Sequence, residues 1–302
     1  MTIRRVAARI LLIPLWMFLA GLGGATLLKW APGATVDERE VDPRYGAEAL
    51  AVIRAGRQKE DASALSYYES FLERAARGDL GRSVARGRPV SELLEGRIGE
   101  TLRVAGGGLT IAWAASLGLA GAWLATGWNW LDRLAMAGGS VVLAVPSAAI
   151  GVLFLHWQWP IALALGLVLF PRLYSYLHHI LAAAQHLPHV WLAVAKGLPR
   201  WARARRHVIP HALPALLPVA GLSVSMAIGV LVPLEVLGDR PGIGQLAWQS
   251  ATGRDLPVLV VLTWMVAGVT LVANLAGDLG SEWSAERLGR PAGGPAVVEV
   301  RH

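Results

Sequence analysis

The sequence predicts an all-α membrane protein with six transmembrane helices, a helical external insert between the first two, and a short basic helix between the fourth and fifth. Three observations predict it. Of 302 residues, 54% are hydrophobic and 16% charged, too apolar for an ordinary soluble chain of this length. The apolar residues gather into runs of about a bilayer's length. The cationic surplus is confined to two places: Arg4, Arg5 and Arg9 supply +3 of the net +7, and the stretch from Arg172 to Arg206 supplies +6. Loops rich in Lys and Arg stay in the cytoplasm, so this placement is a topology signal and not the footprint of a nucleic-acid binder.

In chain order, residues 1–28 form an N-terminal transmembrane helix whose apolar part, Ile10 to Leu28, is longer than the core of a cleaved leader and is read as retained. Residues 29–101 form a polar periplasmic insert. Within it Leu65, Tyr68, Phe71 or Leu72, and Ala75 recur at helical spacing. Residues 102–281 form the membrane core. Its spans are Leu102 to Thr126, where small residues permit close helix packing, Leu134 to Leu155, Ile161 to Leu181, Leu213 to Leu237, and Pro257 to Leu279. His156-Trp157-Gln158-Trp159-Pro160 turns the chain at headgroup level on the outer side. Residues 282–302 form a cytoplasmic tail, rich in Gly and Pro from Arg290 and expected to be disordered. Six spans return both termini to the cytoplasm.

Trp191 to Leu213 is the stretch around which the rest is organised. It carries Lys196, Arg200, Arg203, Arg205 and Arg206 with no acid, and it lies between two spans. Pro199 suits the first turn of a helix and Pro210 opposes its continuation, so about two turns of surface helix are expected between Gly197 and Pro210.

Several chemistries are excluded or weak. There is no cysteine, hence no disulfide, thiolate or thiol nucleophile. No Gly-x-x-x-x-Gly-Lys-Ser/Thr phosphate loop occurs, so any ATP hydrolysis belongs to another chain. His178, His179, His186, His189, His207 and His211 invite a metal reading, but no carboxylate lies between Asp132 and Glu235 to complete a set, and no metal is expected. Ser140, after Gly138-Gly139, lacks a placed base, and no catalytic residue is assigned. Arg172, Glu235 and Asn274 are the candidates for a translocation path; Asp278 lies close to the end of its span.

The basic stretch also carries a resemblance. Ala193, Gly197, nine further residues and then His207-Val208-Ile209-Pro210 resemble the EAA loop of ABC importer permeases, closest to the dipeptide, oligopeptide and nickel transport family. Trp191 and Leu192 replace the eponymous Glu and first Ala, and His207 replaces an Ile. Similar wording recurs at Gly78-Asp79-Leu80-Gly81-Arg82-Ser83, Trp130-Leu131-Asp132-Arg133-Leu134, Pro241-Gly242-Ile243-Gly244 and Arg254-Asp255-Leu256-Pro257. The resemblance implies a bacterial inner-membrane permease subunit of an ATP-driven importer of peptides or similar solutes. Its ATPase-coupling loop would be Ala193, Lys196, Gly197, Arg200, Arg203, Arg206, His207 and Pro210. It implies a second permease subunit as hetero-pair, two cytoplasmic ABC ATPase subunits that hold ATP and Mg, an external substrate-binding protein, and membrane lipid, with no cofactor on this chain. The competing classes are a secondary transporter, for which no midplane carboxylate is present, and an intramembrane enzyme.

Overall fold

The computed structural model describes residues 3–30 and 64–288; residues 31–63 of the insert and the tail expected from Arg290 therefore lie outside the described residues. The helices are α1 (Ile3–Trp30), α2 (Ala64–Ala76), α3 (Val90–Leu94), α4 (Arg97–Thr126), α5 (Asn129–Ala144), α6 (Ser147–His156), α7 (Ile161–Gln185), α8 (Pro188–Ala195) and α9 (Arg200–Arg203). A π-turn (Ala204–Val208) leads into α10 (Ile209–Leu237), followed by α11 (Ile243–Thr252) and α12 (Leu256–Arg287). Among the described residues, extended pairing is limited to one bridge between Arg82 and Pro89. Helices satisfy every backbone group internally, which is what a chain in hydrocarbon requires.

Among the described residues, four helical stretches are long and apolar enough to cross a membrane: Val90–Thr126, Ile161–Gln185, Arg200–Leu237 and Leu256–Arg287. A fifth crossing is formed only if α5 and α6 act as one, because they meet at 94°. A straight span from Leu134 to Leu155 is therefore not what forms. Pro146 excludes the helical conformation at Val145, which sits at φ −90° and ψ 129° and ends α5. The α5–α6 pair still carries the chain from one end of the molecule to the other. Thr126 at its start accepts a hydrogen bond from Arg200 in the basic hairpin, whereas Ile161 after it packs beside Gly238 at the far end of α10.

Two cores hold the bundle. The larger packs α4, α7 and α10 through Ala112, Leu165, Leu169, Leu173, Leu231 and Leu234. Small residues set its spacing: Gly108 lies against Leu165, and Gly166 against Ile111. The smaller gathers α2, α3 and α11 on the first turns of α12, around Tyr68, Phe71, Val90, Leu246 and Val261. The helix expected around Tyr68 and Phe71 is thus α2, and those two rings are its buried face. Tyr68 donates to the Met17 carbonyl of α1 at 3.3 Å, and burial pushes its phenol pKa up. Outward, Leu102, Val141 and Val272 are among the most exposed side chains, as a lipid-facing surface demands.

Candidate functional site

The basic hairpin is built by backbone punctuation. Leu187 is extended ahead of Pro188, which opens α8 at its first position. At the other end Gly197 has φ +72°, its N–H donates to the Val194 carbonyl, and the Leu198 N–H donates to that of Ala193. This left-handed glycine closure is a Schellman motif, and a β-carbon there would be strained. Pro199 then caps α9.

Pro210 does not stop the helix, contrary to the expectation of a short element ending there. The chain runs helically from Arg200 to Leu237 because the turn at Ala204–Val208 widens, so that the Ile209 N–H bonds the Ala204 carbonyl five residues back. The widened turn makes room for the pyrrolidine ring, and such π-turns recur at functional sites.

One side of the hairpin faces the bundle through Val190, Ala193, Ala202, Ala204 and Val208, all buried. The other presents Trp191 and Trp201, 61% and 59% exposed, with Leu192, Lys196, Arg205 and Arg206. The residues expected to form a coupling loop thus divide. Lys196, Gly197 and Arg206 are exposed, His207 and Pro210 are half-buried, and Ala193 points inward. Arg200 crosses to the end of α4, where Nη1 donates to the Thr126 carbonyl at 3.1 Å. It fills the space a side chain at Gly127 would need, since a β-carbon there would fall 1.0 Å from Nη1. A cation on the last carbonyls of a helix also complements its dipole. His189 packs on the His211 ring at 4.0 Å, and its Nε2 lies 3.2 Å from the His207 carbonyl. Among the described residues no group of three His, Asp or Glu side chains is disposed to hold a metal.

At the opposite end Glu235 is fully buried. Its carboxylate accepts the Thr101 hydroxyl at 2.7 Å, the Gly244 N–H at 2.7 Å and the Gln245 N–H at 3.3 Å. The Pro-Gly-x-Gly wording has its physical cause here. A β-carbon on Gly242 would fall 2.1 Å from the Glu235 carboxylate, and one on Gly244 would fall 2.8 Å from the Val232 backbone. Only glycines let this loop reach the carboxylate.

A second buried carboxylate, Asp255, accepts the Ser83 hydroxyl and the Val84 N–H and lies 3.8 Å from Arg86. Arg86 also donates to Gln249 at 2.9 Å. The roles of Thr101, Ser83 and Arg86 escaped sequence reasoning, because hydroxyls and arginines in a polar stretch carry no periodic signal.

The three candidates for a path lie on different helices at different depths. Glu235 stands at the far end of α10, Arg172 is exposed on α7, and Asn274 of α12 makes a long contact of 3.5 Å to Ser225 of α10 beside Gly221. Ser140 is helical and its hydroxyl bonds back to the Met136 carbonyl.

Long apolar helices closed at one end by buried carboxylates, with a shaped basic hairpin at the other, define a polytopic helical membrane protein. Residues 118–290 match the family described as binding-protein-dependent transport system inner membrane component, and the chain belongs to that family, the permease subunits of ABC importers. It is 26% identical over 260 residues to the glutathione transport system permease protein GsiC of Escherichia coli O6:H1, covering 78% of this chain and 83% of that one. It is 26% identical over 231 residues to a probable peptide ABC transporter permease protein of Sinorhizobium fredii, covering 67% and 73%. The GsiC protein of Salmonella paratyphi A is 24% identical over 260 residues, with the same coverage as the first.

Proposed function

We propose that this permease carries peptides or similar small solutes, as the glutathione and peptide in the names of its relatives suggest, and that the basic hairpin is where an ATPase subunit grips it. The observation that carries this reading is the outward face of the hairpin. Trp191, Leu192 and Trp201 are exposed at the end of a membrane bundle, beside Arg205 and Arg206 and behind a rigid glycine closure. Large apolar side chains interleaved with arginine are the composition of a protein-binding surface. The basic charge of the hairpin and of the N-terminal arginines supports an orientation with this end and both termini in the cytoplasm. With α1, the bent α5–α6 pair and the four long stretches, the chain then crosses six times.

The partners follow from the family: a second permease across the path, two ATPase subunits holding ATP and Mg, and an external binding protein at the end carrying Glu235 and Asp255. Closure of the ATPases would push the hairpin, and Arg200 would pass the displacement to the end of α4. ATP shifts the inward and outward states only through contacts that differ between them, and the hairpin carries that difference. Substrate moves between the paired permeases, near Arg172 and Asn274, with no covalent chemistry on this chain.

The test is joint purification with the ATPase subunits. Gly197→Leu should abolish capture of the ATPase while the chain still inserts; undiminished capture overturns the docking role. Native cysteine is absent, so Arg205→Cys should react with an impermeant thiol reagent only from the cytoplasmic face, and labelling from outside overturns the orientation.

A further inference from the structure

Between α8, α9 and the junction of α4 with α5 lies a cavity of about 290 Å³. Its walls carry Arg200 and Arg203, the amide side chains of Asn129 and Gln185, and the indoles of Trp123 and Trp191. Among the described residues no carboxylate lines it. The nearest acid in sequence, Asp132, accepts the Tyr174 hydroxyl at 2.7 Å and lies 2.8 Å from His178 Nδ1. Arg203 Nε is buried and has no hydrogen-bond partner among the described residues. A buried guanidinium donor left unmatched is costly, and an oxyanion is the group whose geometry matches the guanidinium fork. On the α5 side, Trp128 and Trp130 flank Asn129, both exposed and stacked 6.3 Å apart. Paired exposed indoles mark headgroup level.

We propose that this cavity binds a phosphate oxyanion, carried by an anionic phospholipid or free as inorganic phosphate, with Arg203 as its principal ligand and Arg200, Asn129 and Gln185 around it. The bound anion joins the hairpin to the start of α5 and so fastens the two walls together. The site stands whether or not the hairpin docks an ATPase, since both walls belong to this chain.

The full-length chain, purified in neutral detergent, is titrated with phosphatidylglycerol, with phosphatidylcholine and with inorganic phosphate, and binding is read by native mass spectrometry. Phosphatidylglycerol retained in excess of phosphatidylcholine and not displaced by phosphate assigns the lipid source; binding of phosphate in the absence of lipid assigns the free anion. In either case Arg203→Gln should weaken binding at least about ten-fold, the loss of one charge-assisted contact. Arg205→Gln removes the same charge from the exposed surface and should change it little. Asn129→Leu, on the opposite wall and outside the hairpin, should also weaken binding and guards against misfolding of the first variant. The proposal is overturned if the wild type retains neither probe, if Arg203→Gln and Arg205→Gln lose equally, or if Arg203→Gln and Asn129→Leu both keep full affinity.

Discussion

Thr101 and Glu235 are 134 residues apart in sequence and 2.7 Å apart in space, and the Thr101 hydroxyl oxygen also accepts the Ile243 N–H at 2.8 Å. One hydroxyl therefore joins α4, α10 and the first residue of α11. Thr101→Val keeps the shape and removes both bonds, leaving a buried carboxylate and a backbone N–H each short of a partner. The expected cost is on the order of 1–3 kcal/mol, read as a lower melting temperature in detergent. Thr101→Ser should restore most of it, and a wild-type melt for Thr101→Val would contradict the bridge.

Asp255 does for the segment before α3 what Glu235 does for the loop before α11. Replacing it with Leu leaves the Val84 N–H unmatched and Arg86 without its anion. Trypsin should then cut at Arg82 or Arg86 several-fold faster than in the wild type, while cleavage at Arg205 stays unchanged. Equal rates at the first group of sites would show that Asp255 does not hold that segment.

Helix contact in the membrane core depends on a missing side chain. A β-carbon on Gly221 would fall 2.5 Å from the Ala273 carbonyl oxygen and 2.8 Å from Asn274 Cα, both backbone atoms that cannot move aside cheaply. Gly221→Ala should destabilise by about 1–3 kcal/mol through separation of α10 from α12. Gly229→Ala on the same helix meets nothing within 4 Å and should be near neutral. Comparing the two melts checks the packing, and equal stability would refute it.

Gly127→Ala addresses transmission through the hairpin. Gly127 has φ +76° and its missing β-carbon is the seat of Arg200, so the variant is strained and also expels the guanidinium. In the assembled transporter, solute-stimulated ATP hydrolysis should fall several-fold while ATPase association persists. Stimulation at the wild-type level would mean that Arg200 carries none of the coupling.

Much of the molecule was legible beforehand where a local rule applies. Apolar runs located the four long stretches, although α4 begins at Arg97 and not Leu102, and α10 begins before Leu213. The spacing of Tyr68 and Phe71 located α2. Gly197 was correctly singled out as a stop, because a glycine closure is a backbone property. Pro210 was misjudged, since a widened turn upstream absorbed it, and the bend at Pro146 was overlooked because the apolar run continues across it.

Composition and charge placement by themselves determined that this chain lies in a membrane and keeps a basic hairpin between its later spans, and the sequence carries no Gly-x-x-x-x-Gly-Lys-Ser/Thr loop. These follow from transfer free energies and a motif, which belong to short stretches of chain. The tertiary structure alone decided that Glu235 and Asp255 fasten loops, that Arg200 reaches back to α4, and that Arg203 borders a cavity. Each depends on residues far apart in sequence meeting within a hydrogen bond's length, and only helix packing sets those distances.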